Sequence, residues 1–207
     1  MTYVVARDRG VRHIVGGGYD VRVITLPQYD LFDVKLEGRK IILKDDEIIN
    51  ADDVYGILAA PTCTMFSLAR TTAKTPRNLE EAMALVEKCL KIIWYCRYSN
   101  ESCLKFWALE NPLGLLRQFL GKPSYTFSPE EFGEHYSKRT DLWGYFNEPA
   151  KHKREMSEEE KAKCATNSRD LPDLPDGYVL PEGWNKTAAR RSMTSPKFAE
   201  AFFRANK

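Results

Sequence analysis

The chain has no apolar run near the roughly 20 residues that a membrane-spanning helix needs. Its opening residues, Met1 to Asp8, lack the apolar core of a secretory signal. A soluble cytoplasmic protein, with no membrane partner, is therefore expected. Excess charge of one sign is missing too: 31 Lys and Arg stand against 29 Asp and Glu, a net charge of +2. That balance excludes a protein held on nucleic acid by overall charge, so any DNA contact must come from local basic clusters. Histidine is scarce, with three residues (His13, His135 and His152) far apart and none beside a cysteine. The five cysteines are odd in number, irregularly spaced and without a C-x-x-C pair, which argues against a disulfide framework or a zinc site. No metal is expected.

With 207 residues, 43% hydrophobic and 29% charged, the chain can bury a sizeable core. At the front, strand patterns alternate with a helix, as in an α/β protein. Tyr3–Ala6 and Tyr19–Ile24 read as strands, and Asp30 to Asp53 as a charged hairpin whose best strand is Lys40–Leu43. Val54–Ala60 is an apolar run with no polar face, as a strand covered on both sides requires. Apolar residues recur at three and four residue steps from Leu79 through Met83, Val86 and Leu90 to Trp94, predicting a helix from about Asn78 to Arg97. Asn78 is its expected N-cap, and Cys89 and Cys96 lie at core spacing on it. Phe106–Leu109 is a second buried strand ending at Glu110-Asn111-Pro112, followed by a helix near Leu113–Leu120 and a last strand at Asp141–Phe146. The organisation expected is an α/β core over 1–149, an irregular connector over 150–186 and a terminal helix within 187–207. An exposed helix is expected within the connector at Ser157–Lys163. Ser195 would cap the terminal helix, with Pro196 in its first turn.

Two residues lie where an open α/β sheet binds ligands, beyond the carboxyl ends of its strands. Cys63 follows one buried strand and Glu110 the next. A thiol and a carboxylic acid at one rim suit nucleophilic attack on a ring whose nitrogen is protonated in step. A purely structural role for both is the alternative at this point.

The surrounding motifs narrow the choice. Ala60-Pro61-Thr62-Cys63-Thr64-Met65-Phe66-Ser67 resembles the Pro-Cys loop of cytosine-5 DNA methyltransferases. Glu110-Asn111-Pro112 is similar to that family's Glu-Asn-Val motif, one helix and one strand later. Tyr136 to Gly144 resembles the family's basic motif, and Thr194 to Ala201 its final Pro-led helix. The block from Lys105 to Pro112 is similar to short phage-borne members, which implies a cytoplasmic protein of a bacterial host or of its phage.

The resemblance implies a Rossmann-like methyltransferase sheet with flanking helices, S-adenosylmethionine as cofactor and DNA as substrate. Cys63 would add to C6 of a flipped cytosine while Glu110 supports N3. Ser67, Arg70, Asn111, Lys138 and Arg139 would contact the nucleotide. Asp8, Gly10, Thr25, Asp53, Pro61 and Ser195 would line the cofactor site.

The departures cluster in the cofactor half. Where the family has a Gly-x-Gly turn, this chain has Ala6-Arg7-Asp8-Arg9-Gly10, and the helix expected next would have to fit before Gly18. Thr25 stands where the family places a ribose-binding acid. The connector replaces a full target-recognition domain and is too short to bury the roughly 1,000 Å² of specific DNA recognition alone. A protein partner supplying specificity is one expectation. A degenerate relative that binds DNA or protein without catalysis, and an enzyme acting on free pyrimidine nucleotides, are the alternatives.

Overall fold

The computed structural model describes residues 2–6, 12–16, 19–25, 30–44, 46–68, 70, 73–151, 157–159, 171, 173–174, 180 and 185–207, with only the backbone for those up to Asp30 and for Ala188. The chain is mixed α/β and divides into two compact units. The first comprises residues up to Tyr125 together with Asp141–Phe146, and the second comprises Thr126–Thr140 and Asn147–Lys207.

The described residues include ten strands: β1 (Thr2–Ala6), β2 (Arg12–Gly16), β3 (Tyr19–Thr25), β4 (Lys35–Glu37), β5 (Lys40–Ile42), β6 (Ile48–Asn50), β7 (Val54–Ala59), β8 (Phe106–Pro112), β9 (Tyr125–Phe127) and β10 (Thr140–Tyr145). The main sheet runs in the order β2-β3-β1-β7-β8-β10-β9. Its centre, β3-β1-β7-β8, is parallel, whereas β2 pairs antiparallel with β3 at the edge, so the sheet is mixed. The parallel centre explains the apolar run of β7, whose Val54, Gly56, Ile57 and Ala59 are buried.

The connection from β1 to its parallel neighbour β3 carries strand β2 where the family resemblance implied a short helix. Arg12–Gly16 pairs residue for residue, antiparallel, with Tyr19–Val23, so these five residues are extended rather than helical. The segment expected as a hairpin between Asp30 and Asp53 is a three-stranded antiparallel meander, β4-β5-β6. Its third strand, Ile48–Asn50, buries a single side chain, Ile49, too little alternation to announce a strand.

Helix α1 (Leu79–Arg97) joins β7 to parallel β8. Asn78 caps it: its Oδ1 accepts from the Glu81 amide at 3.1 Å while its Nδ2 donates to the Glu81 carboxylate at 2.8 Å. The face it buries is Leu85, Val86, Cys89, Ile92, Ile93 and Cys96. These pack with Val54, Ile57, Ala59 and Leu109 of the sheet and with Val34, Ile41 and Ile49 of the meander segment. Of the stripe expected from Leu79 to Trp94, Val86 and Ile93 lie on this face, and Leu79, Ala82, Met83 and Leu90 are partly buried along its flank. Trp94 is 42% exposed and leans edge-on against Trp107 of β8 at 5.6 Å.

Short helix α2 (Leu116–Leu120) follows β8 and is tied to β10. Arg117 donates from Nε and Nη2 to the two oxygens of Asp141 at 2.6 and 2.5 Å, and the Asp141 side chain has no solvent exposure. That contact raises the Arg117 guanidinium further above its ordinary range.

In the second unit, α3 (Lys186–Ser192) and α4 (Pro196–Ala205) follow one another. Helix α3 was not expected from the sequence. Phe198 of α4 stacks flat on Phe127 at 3.6 Å, with Phe132 edge-on at 5.2 Å. Asn206 Nδ2 donates to the Asn147 carbonyl and its Oδ1 accepts from the Asn147 amide. The exposed helix expected at Ser157–Lys163 lies largely outside the described residues. No helix among the described residues is long and apolar enough to cross a membrane.

Candidate functional site

The rim of the first unit is built by register. Parallel pairing sets Ala59 of β7 beside Leu109 of β8, so Glu110 stands level with the residue that opens the Cys63 loop. Strand β8 continues through Glu110 and Asn111 to Pro112 rather than stopping before them. Alternation along the strand sends Glu110 and Asn111 to opposite faces. Asn111 is 1% exposed, and its Nδ2 donates to the Pro61 carbonyl at 3.0 Å. This bond ties the end of β8 to the segment two residues before Cys63. The amide oxygen, Oδ1, is buried with no hydrogen-bond partner among the described residues.

Beyond Pro61 the loop closes on itself. The Cys63 carbonyl accepts from the amides of Phe66 and Ser67 at 2.9 and 2.8 Å. Phe66 is fully buried and meets Phe119 of α2 edge-on at 6.1 Å. Its carbonyl accepts from the Leu115 amide at 2.9 Å, and Ser67 bridges to Gly114. A β-carbon on Gly114 would sit 2.3 Å from the Phe66 carbonyl oxygen, so only glycine permits this approach. Arg77, the residue before the α1 cap, donates to the carbonyls of Met65 and of Ser67, the latter at 2.9 Å. Cys63 itself is half-buried and makes no disulfide.

A cleft of about 190 Å³ opens beside this loop. Its walls include Thr62 and Thr64, the neighbours of Cys63, with Phe32 from the turn after β3 and Asn78 and Glu81 from the start of α1. Met65, Ala82 and Leu85 complete the lining, so one aromatic ring and an apolar floor meet two hydroxyls, one amide and one carboxylate.

The remaining sequence-derived candidates fall in several places. Thr25 ends β3, whose register with β1 and β7 sets it on the same carboxyl-end rim as the loop. Asp53 closes the turn that precedes β7, so the full strand, roughly 20 Å long at the usual rise per residue, lies between it and the segment that holds Pro61. Arg70 folds back on its own segment, donating to Thr75 Oγ1 at 2.8 Å and to the Pro76 carbonyl at 3.4 Å. Lys138 and Arg139 belong to the second unit, where Lys138 Nζ donates to the Met193 carbonyl at 3.3 Å. Ser195 is there too, 3% exposed, accepting from the Phe198 amide at 3.3 Å as N-cap and donating to Glu134 at 3.2 Å. Asp8 and Gly10 lie outside the described residues.

The structure therefore brings together Pro61, Cys63, Ser67, Glu110 and Asn111 in one knot of loop and strand ends. Arg77 is the member that sequence reading missed. Its only signal was an arginine directly before a helix cap, a pattern shared by many surface residues. Compared with protein-family models and with curated proteins, the chain matches none.

Proposed function

We propose that the chain is an S-adenosylmethionine-dependent cytosine-5 DNA methyltransferase with a Rossmann-like core. The observation that carries this reading is the Asn111–Pro61 bond between adjacent parallel strand ends, which holds the cysteine loop and the glutamate strand as one unit. That arrangement suits addition of the Cys63 thiolate to C6 of a flipped cytosine, with Glu110 supporting N3. The C5 carbanion equivalent then takes the methyl group from the cofactor's sulfonium, and loss of the C5 proton expels Cys63. Ionising an ordinary thiol at neutral pH costs about 2 kcal/mol. The Arg77 guanidinium beside the loop would offset part of it. The cleft between the Phe32 turn, the loop and the start of α1 is lined by Thr62 and Thr64 on either side of Cys63 in sequence, not by Cys63 itself. Specificity for a DNA sequence would then come from a protein partner or remain loose.

A duplex carrying 5-fluorocytosine tests this reading, because the fluorine blocks loss of the C5 substituent. With S-adenosylmethionine present, a denaturation-resistant adduct is expected, and Cys63→Ser should abolish it. Adduct formation that survives Cys63→Ser would remove Cys63 from the chemistry. Glu110→Gln should slow the reaction by roughly two to four orders of magnitude.

Strand β2 favours a second reading. It occupies the stretch that the family resemblance assigns to a cofactor-facing helix, which fits a degenerate relative that binds DNA or protein without transferring a methyl group. Complete absence of the adduct, with DNA binding retained, would support that reading over the first.

A further inference from the structure

The loop that presents Cys63 is held by a charged side chain with no acidic partner among the described residues. Arg77 is half-buried, and its two terminal nitrogens are spent on the main-chain oxygens of Met65 and Ser67. No carboxylate pairs with it among the described residues, in contrast to Arg117, which is neutralised by Asp141. The oxygens that it binds belong to the turn whose amides, Phe66 and Ser67, point at the Cys63 carbonyl. The turn is thus gripped from inside by the Cys63 carbonyl and from outside by the guanidinium. On its far side it is pinned by the Leu115 amide.

We propose that Arg77 is a positioning residue for Cys63: it fixes the turn that follows the thiol and keeps an unneutralised positive charge beside the loop. The role requires a planar group with two forward-facing donors, which an arginine supplies and a lysine does only in part. It deepens the methyltransferase reading by naming what shapes and activates the nucleophile loop. The claim about the thiol itself needs neither DNA nor cofactor.

The test is alkylation of the folded protein by iodoacetamide across pH 6 to 10, with modification of Cys63 read by peptide mass spectrometry. Restricting the readout to the Cys63 peptide separates it from the other cysteines. Arg77→Met should slow Cys63 modification at neutral pH about tenfold and move its pH midpoint upward by roughly one unit, since a nearby cation favours the thiolate. Arg77→Lys should recover the midpoint but only part of the rate. A folded Arg77→Met protein whose rate and midpoint match the parent within twofold would overturn the proposal. If the methionine variant fails to fold, the lysine variant decides: a parent-like rate overturns the proposal and a two- to fivefold loss supports it. Should the parent give no 5-fluorocytosine adduct, the methyltransferase reading falls while the alkylation result still stands or fails by itself.

Discussion

At the scale of single residues, the described cysteines divide by environment. Burial pushes the thiols of Cys89 and Cys96 up to about 12, and it raises Cys103 as well. Their folded values lie above those of the unfolded chain, so the folded state holds protons that the unfolded state releases. The stability this contributes is complete below about pH 8.5, the ordinary thiol value, and drains away as pH rises towards 12. The urea midpoint should therefore fall steadily between pH 8.5 and 10.5, and Cys89→Ala with Cys96→Ala should flatten that decline. A decline of equal steepness in the double variant would assign it to other groups, Cys103 first, since Tyr136, whose hydroxyl burial pushes up to about 12, starts from about 10 and contributes only at the top of this range. Asn111 gives a second test. Asn111→Ala removes the donor to the buried Pro61 carbonyl and should cost about 1–3 kcal/mol in urea denaturation, together with slower trapping by 5-fluorocytosine. The burial of Cys89 and Cys96 was legible from their spacing on a predicted helix. The grip of Arg77 and Asn111 on the loop was not, because both act on main-chain oxygens that leave no trace in residue pattern.

At the scale of elements, the sequence spoke most clearly where a local rule acts alone. The Asn78 cap of α1 and the Ser195-Pro196 start of α4 follow from side chains bonding their own helix. The buried face of α1 was harder to read, since apolar residues nearly encircle it and only the position of the meander decides which stripe is covered. Strand β2 was missed because pairing with β3, not propensity, makes it a strand. The tie between α2 and β10 carries a prediction. Arg117→Met leaves the fully buried Asp141 carboxylate without its cation and should cost about 2–4 kcal/mol, below the full value for a buried pair because Arg117 is 35% exposed. Restoration by a second change, Asp141→Asn, would show that the cost is the orphaned charge. Replacing Gly114 with alanine should be comparably harmful, about 1–3 kcal/mol, because the new methyl group must displace the Phe66 carbonyl rather than a flexible side chain.

For the molecule as a whole, the parallel centre of the sheet and the α1 crossover were foreseeable from the apolar strands and the helix between them. The division into two units, with the boundary after Tyr125, was not, because no shift in composition marks it. Calorimetry of S-adenosylmethionine with the intact chain addresses the altered front end. Micromolar binding is expected under the methyltransferase reading, either alone or once a mixed-sequence duplex is added. No heat in either condition would point to the degenerate relative. The Cys63 loop also has a dynamic consequence. Its amides at Phe66 and Ser67 bond inward, and the Leu115 amide bonds to it, so hydrogen exchange at these three sites should be as slow as within the strands. A loop with so little slack cannot mould itself around an incoming base. Under the methyltransferase reading, recognition at this edge would be a matter of lock and key, with whatever yielding is needed left to the nucleic acid.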